Sequence, residues 1–100
     1  MIKYVLADAA RCDLIEIRRY LDEHAGPMIA NGVLADVRKA IRTIAKNPGI
    51  GHGREDLTRH NVLFWPVHSY FVLNDPDSRP LSVLGVLYSS RNLISILKSR

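Results

Sequence analysis

Apolar residues recur with two different periods along the chain, and the change between them separates a helical first half from a β-rich second half. The opening "IKYVL" (Ile2 to Leu6) is short and β-prone, and reads as a first strand. Asp8 can cap a helix that runs to His24. Leu14, Ile17 and Leu21 share one face of it, and Ala10 extends that face backwards, while Arg11, Arg18, Arg19 and Asp22 fall elsewhere. Asp8, Asp13 and Glu16 are expected to face water. Gly26 and Pro27 stop this helix and permit the next, because proline suits a first-turn position. The second helix runs from Pro27 to Lys46. Its apolar positions, Ala30 through Ile44, follow steps of three and one, which makes a continuous buried stripe. Arg38, Arg42 and Lys46 line another face. Asn47 and Pro48 end the helix, since a residue before proline is biased away from helical geometry. Two helices joined by "AGP" form an antiparallel hairpin.

The second half reads as strands. "NVLFWPV" (Asn61 to Val67) and "SYFVLN" (Ser69 to Asn74) are separated by a tight turn near His68. "NDPDSRP" is a strong turn signal. "LSVLGVLYS" (Leu81 to Ser89) is apolar on both faces, as expected of an interior strand covered by helices. Pro66 fits best at a sheet edge or a strand end. The last segment, "RNLISILKSR", forms a short helix through Leu93, Ile96 and Leu97. The order β-α-α-β-β-β predicts a single α+β domain over residues 1–100. A helical hairpin packs on one face of a curved, mainly antiparallel sheet, and a short helix follows at the C-terminus.

Composition narrows the class only a little. One hundred residues can enclose one thin core. With 47% apolar and 24% charged residues the chain belongs among folded rather than disordered sequences. A formal net charge of +4 suits an acidic partner, although many soluble proteins carry as much without one. Cys12 is the only cysteine, so no intramolecular disulfide is possible. The N-terminal stretch lacks a signal-peptide core, and no apolar run approaches the ~18 residues of a membrane helix. The expectation is a cytoplasmic protein without a membrane partner.

The glycine-rich "NPGIGHGREDL" (Asn47 to Leu57) invites a catalytic reading. A phosphate cradle would require a helix after the glycines and a Lys-Ser or Lys-Thr pair, and neither is present, so the stretch reads as a connection. His24, His52, His60 and His68 are too widely spaced for a zinc site, even with Glu55 or Asp56 as added ligands, so no metal or other cofactor is expected. Ser69, Ser89, Ser90 and Cys12 lack a recognisable base. Metal-free RNA cleavage would need a base, an acid and cations around the phosphate. Arg54, Arg59 and Arg91 could supply charge, with His52, His60, His68 or Tyr88 as acid or base. The competing reading makes Arg38, Lys39, Arg42 and Lys46 an ordinary solvated helix face and the other arginines scattered rim charges.

Three stretches, "YVLADAARCDLIEIRRYL", "NPGIGHGREDL" and "VLGVLYSSRNLISIL", resemble in order and spacing a ParE-type toxin of the RelE/ParE superfamily. These are the toxin halves of bacterial type II toxin–antitoxin pairs. The resemblance implies a partner antitoxin that wraps the toxin and binds operator DNA itself, so that the toxin meets operator DNA only indirectly. It also implies one of two activities, mRNA cleavage on the ribosome (RelE-like) or inhibition of DNA gyrase (ParE-like). RelE-like members carry an arginine after the last strand and a tyrosine some six residues later. Arg91 matches the first, but Leu97 stands at the second. Their loop lysines are also missing, apart from Lys46 at the helix end.

The resemblance therefore favours a non-catalytic gyrase inhibitor with no catalytic residues. The alternatives are an mRNA interferase and a non-toxic remnant that only binds its antitoxin. On this reading the target is contacted through Tyr88, Arg91, Asn92 and Lys98. The antitoxin lays apolar side chains on the helical hairpin and the sheet edge, Trp65 included, and sets acidic residues against Arg18, Arg38, Arg42, Arg59 and Arg91. The chain departs from the ParE pattern at Gly85, Tyr88 and Asn92, where arginine, histidine and aspartate are usual. It departs again at Leu73-Asn74, where a tyrosine and a basic residue are usual.

Overall fold

In the computed structural model of the chain, residues 3–57 and 61–99 are described. The elements in order are β1 (Tyr4–Leu6), α1 (Asp8–His24), α2 (Pro27–Lys46), β2 (His52–Gly53), β3 (Leu63–Val67), β4 (Tyr70–Asp75), β5 (Leu81–Tyr88) and α3 (Leu93–Lys98). Both long helices have the expected bounds. Ile2 and Arg59 lie outside the described residues, so the first strand is seen from Tyr4. Asp8 is not the cap: Ala7 holds that position without a side-chain bond, and Asp8 lies in the first turn. Gly26, at φ 92°, makes the corner between the helices, and Pro27 follows at the start of α2.

The strands form one sheet in the order β1-β5-β4-β3-β2. β1 runs parallel to β5, and the other pairings are antiparallel. β5 is interior, as its two apolar faces require. Leu73 pairs with Gly85 and Asn74 with Val83, so Leu84 is an extra residue that bulges β5. β2 was not foreseen: within the glycine-rich connection, His52 and Gly53 pair with Phe64 and Leu63. This pairing covers only the start of β3. Pro66 falls on the stretch beyond it, at an open edge where a missing N–H is tolerated.

Each face of the sheet has its own core. The helical hairpin covers one, where Val37, Ile41 and Ile44 of α2 and Ala10 and Ile17 of α1 pack on Val72, Val83 and Val86. On the other face Phe64, Leu73 and Leu87 are closed over by Leu93 of α3, with Phe71, Ile96 and Leu97 partly buried beside them.

One expectation about the first helix fails. Asp13 does not face water: it is 6% exposed, and its Oδ2 accepts the Val86 N–H at 3.0 Å. β1 pairs with β5 only as far as Val83, so the next stretch of β5 has no strand on that side, and the carboxylate takes up a backbone donor left by β1. Asp13 sits beside Ala10, Leu14 and Ile17, on the side of α1 that packs on the sheet.

Candidate functional site

The β3–β4 hairpin closes on two residues, His68 and Ser69, between the paired Val67 and Tyr70. His68 adopts φ 53°, unusual for a residue other than glycine. Its Nε2 lies 2.7 Å from Asp36 Oδ2 on α2. The Ser69 carbonyl accepts the Ser89 N–H at 2.7 Å. The turn is thus tied on one side to the helical layer and on the other to the end of β5.

These ties place Tyr70 opposite Tyr88, with ring centroids 5.6 Å apart. Together with α1 they enclose a cleft of about 660 Å³. Ile17, Val86 and Tyr70 line it as buried groups, whereas Tyr20 and Tyr88 are 56% and 43% exposed. Glu16, His68 and Arg91 add its charged and polar lining. Burial, above all, holds the Tyr70 phenol above its ordinary pKa, and the nearby Tyr88 and Tyr20 push the same way. Tyr70 is therefore a neutral hydroxyl near pH 7. Among the described residues the Arg91 guanidinium has no ion-pair partner.

The residues singled out from the sequence are dispersed. Tyr88 and Arg91 meet in the cleft. Asn92 caps α3, its Oδ1 accepting the Ser95 N–H at 3.2 Å, and Lys98 lies exposed in the last turn of that helix. Arg18 donates to Asn31 Oδ1 at 2.6 Å and pairs with Asp22 at 3.7 Å. Arg38 and Arg42 are exposed on α2. Trp65 is partly buried against the core under the helices. Arg59 is outside the described residues. Leu73 and Asn74, two of the positions at which the chain departs from the resemblance, are buried, and Asn74 Nδ2 donates to the Pro48 carbonyl at 3.1 Å.

Sequence reasoning did not pick out Tyr20 or Tyr70, and it treated His68 only as a turn residue and candidate acid or base. The tyrosines come from the outer end of the α1 stripe and the first position of β4, and only the folded hairpin brings them together.

Arg54 lies on the opposite sheet face. Its guanidinium stands 5.9 Å from the Phe71 centroid and donates twice to Asp56, at 3.0 and 2.9 Å. That bond raises the arginine pKa and lowers that of the carboxylate. Among the described residues no group of three or more His, Cys, Asp or Glu could hold a metal.

Among the described residues the cleft thus offers phenol hydroxyls, a histidine held by a carboxylate, the exposed Glu16 carboxylate and a single arginine. An apolar cleft rimmed by amphipathic tyrosines, with a guanidinium that has no ion-pair partner among the described residues, is suited to an inserted side chain and a carboxylate beside it.

A family model described as the ParE toxin of the type II toxin–antitoxin system parDE matches residues 4–93. Among solved structures, a chain from the chromosomal ParDE toxin–antitoxin system of P. aeruginosa is similar with a TM-score of 0.73 at 16% identity, covering 88% of this chain and 96% of that one. No curated protein sequence matches.

Proposed function

Because the chain belongs to the ParE toxin family of type II toxin–antitoxin systems, we propose that it acts by binding, inhibiting DNA gyrase until a cognate antitoxin covers it. The observation that carries this reading is the cleft itself, with exposed Tyr20 and Tyr88 beside an Arg91 that has no ion-pair partner among the described residues. Aromatic and arginine side chains of this kind are the usual anchors of protein interfaces. The antitoxin inserts apolar side chains between α1 and the β3–β4 turn and sets an acidic residue against Arg91. The target uses the same exposed end of β5, from Tyr88 to Arg91. Neutralisation then follows by occlusion.

A supercoiling assay with purified toxin and gyrase tests the target. Inhibition that Y88A or R91E weakens at least tenfold is expected, and unimpaired supercoiling at toxin excess overturns the gyrase reading. The antitoxin is tested separately, by adding the product of the neighbouring antitoxin gene. The readout is binding of that product to the toxin, and affinity unchanged by Y20A and R91E together would remove the cleft from the antitoxin contact.

A further inference from the structure

The two long helices carry charge differently. On α1, five acidic residues accompany three arginines, and Arg11 and Arg18 pair with Asp8 and Asp22. On α2 the only acidic residue is Asp36, already taken by His68, and it accompanies Arg38, Lys39, Arg42 and Lys46. All four of these cations are exposed. None makes an ion pair or side-chain hydrogen bond among the described residues. Arg38, Arg42 and Lys46 succeed one another at four-residue intervals, with Lys39 alongside, so the stripe extends about 12 Å along the helix. It lies away from the sheet, on the side of α2 opposite Val37, Ile41 and Ile44.

We infer that this stripe binds the sugar–phosphate backbone of duplex DNA directly, without reading bases. The surroundings select the partner. Among the described residues, the large apolar side chains exposed on α2 are Met28 and Ile29, both in its first turn and away from the cationic stripe. An acidic peptide laid there would gain only surface ion pairs, each worth little. A single-stranded nucleic acid would find no aromatic side chain on which to stack its bases. A duplex needs neither: it presents a rigid row of closely spaced phosphates, and its affinity comes from released counterions. This assigns Arg38 and Arg42 to phosphate rather than to antitoxin carboxylates, and it gives the toxin a DNA contact of its own. The inference stands independently of the gyrase proposal.

Fluorescence anisotropy with the purified full chain and a labelled duplex of arbitrary sequence tests it. Neutralising up to four phosphates predicts that affinity falls about 100-fold between 50 and 200 mM salt. R38E/R42E should weaken binding at least tenfold and reduce the salt slope by about two. R11E/R19E, the same change in net charge on α1, should stay within threefold of wild type. Circular dichroism checks that both variants are folded. No binding at 50 mM salt, equal weakening by the two double variants, or tighter binding of a single-stranded oligonucleotide or a poly-glutamate peptide would each overturn the inference.

Discussion

Asp13, in the second turn of α1, accepts the backbone N–H of Val86, seventy-three residues later in the chain, at 3.0 Å. The bond joins helix to sheet at the point where β1 stops accompanying β5. D13A leaves a buried backbone donor without that acceptor and should destabilise the fold by about 1–3 kcal/mol. D13N keeps an acceptor oxygen and should lose less. Urea unfolding of the two variants checks the order, and equal losses would mean that the carboxylate's charge, not its acceptor oxygen, is what matters.

Asn74 is fully buried and clips the connection after α2 to β4 through the Pro48 carbonyl. Its Oδ1 has no hydrogen-bond partner among the described residues. N74L removes the clip together with that unpaired oxygen. Global stability should change by less than about 1 kcal/mol, because losing a bond and a buried unpaired group largely offset each other. Amide exchange across residues 47–51 should quicken. N74D buries a charge at the same place and should destabilise severely.

Tyr70 sets an alkaline limit on stability. Its folded pKa is raised, chiefly by burial, above the roughly 10 of an unfolded tyrosine. Between the two values the unfolded chain has released the proton and the folded chain retains it. Stability from this group is therefore intact below about pH 10 and declines as the pH rises beyond it. Thermal melts of wild type and Y70F across the alkaline range should show a shallower decline in the variant.

Of the glycines in the long connection, Gly51 is the one that packing requires. A Cβ there would stand 3.0 Å from Leu63 Cβ and 3.2 Å from the Phe64 carbonyl oxygen, whereas one at Gly49 or Gly53 meets nothing within 4 Å. G51A should cost about 1–3 kcal/mol as β2 is pushed off β3. G53A should be close to neutral. Denaturant melts of the pair distinguish this from a general preference for flexibility in the connection.

The helices were legible because two signals agree in them: the apolar stripe from Ala30 to Ile44, and Gly26-Pro27 marking the corner between them. β5 was legible because apolarity on both faces admits an interior strand. β2 was not, since two residues carry no periodicity and exist as a strand only because Leu63 and Phe64 lie beside them. The inward turn of Asp13 depends on where β1 ends, which is a property of the assembled sheet. The cleft escaped for a related reason: Tyr20, His68, Tyr70 and Tyr88 come from separate segments, and each alone reads as an ordinary surface or core residue. Arg91 and Tyr88 were singled out through the resemblance of the C-terminal stretch to ParE-type toxins, and the fold places both in the cleft. Arg18 and Trp65 are local neighbours of neither.

Pro66 has a consequence for the toxin on its own. Counted from the two-residue turn, it occupies a hairpin pair whose backbone groups point away from β4, toward the side that β2 leaves uncovered. A strand from another molecule approaching there meets an interrupted row of donors, so copies cannot zip together along this border. A free copy of the chain is thus kept from seeding polymers of itself along this border.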